Sequence, residues 1–179
     1  MNNNLFPSIA TERLVLRKIE KADSAVILFL RSDKIVNQFI ERPVHRQTKT
    51  IEDAVKFIQT IDEGIENCKS ITWGISLKGN TAIIGTICLW NFSENLNVAE
   101  IGYDLNPEYH GKGIISEAMK AVLKYGFITR GFEIIEAYTH TNNEKSKQLL
   151  KKHGFKVATD KSDSENEFNL IFERTKDLR

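Results

Sequence analysis

Proline, cysteine and net charge are all scarce in this chain, and each scarcity removes a class of protein. The 179 residues include three prolines (Pro7, Pro43 and Pro107) and two cysteines (Cys68 and Cys88). Without a proline-rich or low-complexity stretch there is no linker, and the length suits one domain, 1–179, with a real core. Two cysteines cannot build a disulfide framework, and neither has the close Cys/His companions of a metal site, so no metal is expected. Cys88 lies in an apolar run and reads as a small core residue. The 25 basic and 24 acidic residues leave a formal charge of +1. Phosphate backbones call for a clustered basic excess, so nucleic acid is not the expected partner. No apolar run reaches the roughly 18 residues of a membrane span. Met1 to Pro7 has no basic region followed by an apolar stretch, so no signal peptide is read there and the expected location is cytoplasmic.

What is present is patterned. Thr11 to Ile19 alternates Leu14 and Leu16 with Arg13 and Arg17, a strand pattern. Ala22 to Leu30 reads as a helix with Ala22, Val26, Phe29 and Leu30 on one face. A second helix starts near Thr50 with the stripe Ile51, Ala54, Val55, Ile58, Ile61 and Ile65. Strands follow over Ser70 to Leu77, Ala82 to Trp90 and Val98 to Leu105, the first two joined by the turn Lys78-Gly79-Asn80. A helix is expected over Ile114 to Arg130, with Ile115, Met119, Val122 and Gly126 on one side, then a strand over Phe132 to Thr139. Thr141 and Glu144 have capping-box spacing for a last helix ended by Gly154. Phe155 to Asp160 and Glu165 to Glu173 close the chain as a strand pair. The order predicts an α+β fold in three layers, a mixed and mostly antiparallel sheet flanked by helices, rather than the alternation of a doubly wound fold.

The segment Glu100 to Ala118 concentrates chemistry. A strand ends, Asn106-Pro107 turns, and His110-Gly111-Lys112-Gly113 runs into a helix. Glycines let backbone amides face a ligand, and a helix N-terminus adds its positive dipole end, together a pyrophosphate site. Ile114 after Gly113 breaks the P-loop spacing, and the three-glycine dinucleotide fingerprint is missing. Taken alone, Gly111 and Gly113 are equally compatible with a tight turn before a helix.

Pro107 to Met119 resembles the acetyl-CoA pyrophosphate loop and helix of the GNAT superfamily, Gln/Arg-x-x-Gly-x-Gly/Ala, with His110, Gly113 and Ile115 at its three positions. His110 and Ile115 depart from that pattern. Gly111-Lys112-Gly113 followed by Ser116-Glu117-Ala118 resembles the ribosomal-protein-alanine N-acetyltransferase branch. Thr11 to Arg17 is similar to the first strand of that branch. Thr141 to Ser146, running on to Gly154-Phe155, is similar to its second cofactor-binding segment.

The resemblance implies an N-acetyltransferase that uses acetyl-CoA as co-substrate, by direct attack of a neutral amine on the thioester. The cofactor contacts it implies are Leu105 and its backbone neighbours for the pantetheine, His110, Gly111, Lys112, Gly113, Ile114 and Ile115 for the pyrophosphate, and Asn143. Glu100 falls at a base position, sharing a strand face with Gly102 and Asp104; otherwise it is a polar residue at a strand start. Leu150 stands where many relatives carry a tyrosine acid, so Ser146 is the candidate donor to the thiolate; both Ser146 and Asn143 also suit helix capping. A lone loop histidine such as His110 is ordinarily solvent-exposed. Tyr103 and Tyr109 are expected to pack, and Trp73 and Trp90 to fill core in preference to lining an acceptor groove. The acceptor implied is a protein N-terminal α-amine, with a small amine such as a polyamine or an aminoglycoside-like drug as the alternative. A non-catalytic acetyl-CoA-binding module and an unrelated nucleotide-binding domain are the readings from other classes. Self-association into a homodimer is left open.

Overall fold

The computed structural model describes residues 6–177. Most of the Met1 to Pro7 stretch, on which the absence of a leader was read, lies outside the described residues. Two short strands, β1 (Ile9–Ala10) and β2 (Leu14–Arg17), come first, followed by α1 (Ser24–Ser32) and α2 (Ile51–Glu66). Then come β3 (Ile71–Leu77), β4 (Ile83–Trp90), β5 (Val98–Leu105), α3 (Ile114–Lys124) and β6 (Ile134–His140). α4 (Glu144–Lys152), β7 (Lys156–Val157) and β8 (Asn169–Thr175) complete the chain. The strands form one eight-stranded sheet in the order β1-β2-β3-β4-β5-β6-β8-β7. Every pairing is antiparallel except β5 with β6. This is the mixed, mostly antiparallel sheet that the element order implied.

The sheet is covered on both faces. On one face α3 packs on β2 and β4 and α4 on β6, around a core that includes Leu14, Trp73, Leu89, Met119, Phe132 and Phe172. Each large side chain so buried contributes about 1.5–3 kcal/mol. Trp73 is fully buried and donates its indole N–H to the Pro7 carbonyl at 2.7 Å. On the other face α1 and α2 enclose Ile19, Ile27, Ala54, Ile58, Ile61 and Ile83. Gly126 lets the end of the α3 segment rest on the sheet, since a Cβ there would lie 2.7 Å from Ile135 Cδ1.

Several elements differ from their sequence patterns. α1 turns Ile27 and Leu30 inward and leaves Ala22 and Phe29 exposed. A tertiary ion pair accompanies this: the Arg17 guanidinium donates to Asp23 at 2.7 and 2.8 Å and holds that residue, at the helix N-cap, buried. α3 does not run as one α-helix to Arg130 but closes in a π-helical turn over Tyr125–Arg130. The last helix is capped by Asn143, whose side chain accepts from the Ser146 amide at 3.1 Å, and not by a box starting at Thr141. Thr141 instead donates its amide to the Phe168 carbonyl at 2.8 Å. The first strand and the closing pair are shorter than their alternation suggested.

Candidate active site

β5 and β6 touch only at one end. They pair in parallel over Val98–Glu100 and Ile134–Glu136. Beyond that, β6 follows β8 and β5 follows β4. The β6-facing edge of β5 from Ile101 to Leu105 therefore has no strand beside it. An unpaired strand edge is a row of backbone donors and acceptors ready for an extended, amide-bearing chain.

The mouth of this opening is the loop into α3. Gly111 and Gly113 both have positive φ, +74° and +73°. That conformation suits glycine and turns successive amides to one side. The helix's first amide bond runs from Glu117 to the Gly113 carbonyl at 3.1 Å. Among the described residues the amides of Gly111 through Ser116 bond to no carbonyl or side chain. They form an anion-binding nest with the helix dipole behind it. His110 is not part of the nest. Its amide goes to the Pro107 carbonyl at 3.0 Å, and its ring Nε2 sits 3.1 Å from the Leu105 carbonyl. The Leu105 side chain is buried, and its carbonyl, through the His110 ring, ties the strand end to the loop. Ile114 is buried and Ile115 half-buried, so their amides, not their side chains, face the nest.

The first-strand segment explains itself here. Arg13 Nε donates to Glu117 Oε2 at 2.7 Å, Arg13 Nη1 to the Lys112 carbonyl at 3.0 Å, and Thr11 Oγ1 to Glu117 Oε1 at 2.5 Å. These bonds clamp the loop from outside and keep the Arg13 guanidinium beside it. Ser116 and His153, at 2.9 Å, tie α3 to α4.

The far wall of the opening is the start of α4. Ser146 Oγ lies 2.8 Å from Tyr103 Oη, so a hydroxyl pair crosses the space between β5 and α4. Burial pushes the Tyr103 phenol up to about 12, against the Ser146 hydrogen bond, so it is neutral at physiological pH. Tyr103 packs on the core, as its sequence setting suggested, and also places its hydroxyl in the site. Leu150, where a tyrosine acid would stand, is fully buried.

The opposite face of the same strands forms a groove. Glu100, Gly102 and Asp104 lie on it beside Trp90, Cys88 and Thr86 of β4. The segment between α1 and α2 roofs it, with Phe39 against His140 and His140 stacked on Phe168. Trp90 is 40% exposed in this groove rather than in the core, because its strand position points away from α3. Burial pushes the Glu100 carboxyl up to about 7, aided by Glu136 and Asp163 and opposed by hydrogen bonds from Asn91 and Trp90. Glu136 is neutralised by Lys161 at 2.6 Å, whereas Glu100 has no salt bridge among the described residues. A carboxyl poised near neutrality at the edge of a groove is suited to take a proton from an amine.

The acetyltransferase (GNAT) domain family matches residues 13–156, from the Arg13 clamp to the end of α4 and beyond. The chain belongs to the GNAT acetyltransferase family. It is 34% identical over 151 residues to the uncharacterized N-acetyltransferase YoaA of Bacillus subtilis (strain 168), with 84% of each chain covered. The crystal structure of a GNAT-family acetyltransferase from Bacillus anthracis superposes with a TM-score of 0.77 at 26% identity, covering 94% of this chain and 98% of that one. The ribosomal-protein-S5-alanine acetyltransferase of Vibrio fischeri shares the fold at a TM-score of 0.78 and 21% identity, with 94% and 96% covered.

As a GNAT acetyltransferase, the protein is an acetyl-CoA-dependent N-acetyltransferase. Its own residues fit that co-substrate: an unpaired strand edge, and a nest of unbonded amides built on two left-handed glycines. Among the described residues no cluster of three or more His, Cys, Asp or Glu could hold a metal ion, and no helix is long and apolar enough to cross a membrane.

Proposed function

We propose that this GNAT acetyltransferase modifies a protein N-terminal α-amine. What supports the reading is the place of Glu100, a half-buried carboxyl on the groove face of β5 with no salt bridge among the described residues, which burial pushes up to about 7. An α-amine ionises at about 7.7–8.0 and a lysine side chain at about 10.4. A base near 7 removes the proton of the first with little penalty and of the second only with a large one. The Vibrio fischeri protein is named for such an acceptor, a ribosomal-protein alanine, and a cytoplasmic setting goes with that reading.

In this reading the pyrophosphate sits on the amides of Gly111 to Ser116, and the pantetheine arm runs along β5 from Leu105 toward Glu100, flanked by Asn143. Acetyl-CoA, when bound, supplies the acetyl thioester. Glu100 accepts a proton from the acceptor's ammonium, and the freed nitrogen forms the new bond to the acetyl carbon. The Ser146 and Tyr103 hydroxyls hydrogen-bond the sulfur as the carbon–sulfur bond breaks; a proton passes to the thiolate from that pair, and the second proton shed by the acetylated nitrogen replaces it, so that one proton stays on Glu100 and is released to solvent. Low-dielectric, fixed donors of this kind act where charge develops.

The test is an acetyl-CoA turnover assay over four acceptor sets: peptides with free N-termini, N-blocked peptides with a free lysine, polyamines and aminoglycosides. Free N-termini should be used at least tenfold better, with the acetyl group located on the α-nitrogen by mass spectrometry. Efficient turnover confined to polyamines or aminoglycosides would replace the reading. Tight acetyl-CoA binding with no turnover would leave a binding module.

A further inference from the structure

The acceptor groove holds two half-buried arginines, Arg31 and Arg42, that form no salt bridge among the described residues. Arg31 lies one turn beyond Ile27 on the inward side of α1. It is already occupied: Nε donates to Thr48 Oγ1 at 2.7 Å, Nη2 to the Arg46 carbonyl at 2.8 Å, and the guanidinium lies 3.6 Å from the centre of the Phe57 ring. These contacts fasten the segment between α1 and α2 to α1, and α1 to α2. Arg42 comes from that segment. Among the described residues it spends one of its N–H donors, on Asn37 Oδ1, while a guanidinium offers several in a planar fork.

The charge opposite them does not balance. Asp104 is the carboxylate that both guanidiniums feel, and its Oδ1 is bound by the Thr86 amide at 2.9 Å and hydroxyl at 2.8 Å. One carboxylate against two guanidiniums leaves a positive charge over. Keeping it there is costly, since burial and the facing Arg42 lower Arg31 to about 10 and burial lowers Arg42 too. A site with unspent donors and surplus charge is completed by an anion, and a planar carboxylate fits the fork.

The position sets the spacing. Glu100 and Asp104 share one face of β5, two side-chain repeats apart, roughly 14 Å along the strand. We propose that Arg42, backed by Arg31, binds a carboxylate of the acceptor while the acceptor's amine lies at Glu100, so that the favoured N-terminus carries an aspartate or glutamate about four residues beyond the first, near the fifth position. An extended peptide advances about 3.3–3.6 Å per residue, which sets that number. The inference rests on the acceptor being a peptide N-terminus.

The experiment is a glutamate scan. Peptides of one sequence with a free N-terminus carry Glu or Gln at each position from the second to the sixth, and kcat/KM is measured for the native enzyme, Arg42→Gln and Arg42→Lys. For the native enzyme Glu should exceed Gln by about 10- to 100-fold near the fifth position, chiefly through KM, as a charge-assisted hydrogen bond allows. Arg42→Gln should bring the Glu-to-Gln ratio to near one, and Arg42→Lys should restore part of it. The ratio is the readout, so a general loss of rate does not imitate the result. A flat scan with good peptide turnover overturns the inference and leaves the peptide reading standing, as does a ratio unchanged in folded Arg42→Gln. If no peptide is used, the peptide reading fails by itself. Amines bearing a carboxylate are then compared with their amides, and equal use of the two overturns the carboxylate site.

Discussion

The Tyr103 hydroxyl lies 2.8 Å from that of Ser146 and so joins the unpaired half of β5 to the first turn of α4. Two hydroxyls in one hydrogen bond act as a unit: each orients the proton of the other, and removing either leaves its partner misdirected. Tyr103→Phe and Ser146→Ala should each lower kcat by about 10- to 100-fold, with acetyl-CoA affinity changed far less. The double variant should be little worse than either single one, which is the signature of coupled groups. Additive losses would separate the roles, and a Tyr103→Phe enzyme with full turnover would return Tyr103 to packing alone.

Gly113 tests the nest. At φ +73° a β-branched side chain is strained by about 1–3 kcal/mol, and relief of that strain would turn the amides of the loop away from one another. A Cβ itself would make only ordinary contact, with Arg13 Nη2 at 3.5 Å, so the cost lies in the backbone conformation. Gly113→Val should therefore weaken acetyl-CoA binding by at least tenfold in calorimetry, while circular dichroism shows a folded protein. Unchanged affinity in that folded variant would move the pyrophosphate elsewhere.

Much of this was legible in the sequence, for reasons that differ by element. β5 runs from Val98 to Leu105 as its alternation implied, because both faces of the strand are decided by local pattern. The start of α3 at Ile114 was legible because glycines at left-handed positions and the helix that follows are one local unit. What was not legible depends on contacts distant in sequence. Thr141 has capping spacing, yet its amide is captured by Phe168, and the cap passes to Asn143. Trp90 sits in an apolar strand, but its exposure depends on which face of β4 meets α3. Tyr103 had no motif to mark its hydroxyl; only the parting of β5 from β6 brings Ser146 within reach. Arg31 and Arg42 lie at the edge of and within an irregular segment whose period says nothing about the groove it roofs.

Asp23 offers a test of the fold away from the site. Burial alone would raise its carboxyl, but hydrogen bonds from Arg17 and from the Glu20 amide, with the Arg17 charge, hold it below the usual range. A depressed folded-state pKa means stability that is present above the unfolded pKa, near 4, and lost as pH falls through the folded value. Asp23→Asn should cost about 2 kcal/mol in urea unfolding at pH 7. The gap to the native protein should narrow below about pH 4. A gap that stays constant down to pH 3 would show that shape, not charge, sets the start of α1.

Glu100→Gln keeps the shape of the side chain and removes the base. Two ionisations govern the outcome: Glu100 near 7 and an α-amine near 8. The base-assisted route needs Glu100 ionised and the amine protonated; the unassisted route needs only neutral amine from solution. Below pH 7 the share of ionised Glu100 and the share of neutral amine both fall tenfold per pH unit, so the ratio of native to variant kcat/KM should be constant there. Above pH 7 Glu100 is fully ionised while neutral amine continues to accumulate, so the ratio should shrink, approaching one well above the amine's own pKa. A defect of about 100-fold on the low-pH plateau is the size expected of a positioned base. Because the break in the ratio reports Glu100 and not the amine, a lysine-bearing acceptor should show it at the same pH. Parallel profiles with little separation would remove Glu100 from the mechanism, and a break displaced to the acceptor's pKa would assign the titration to the amine.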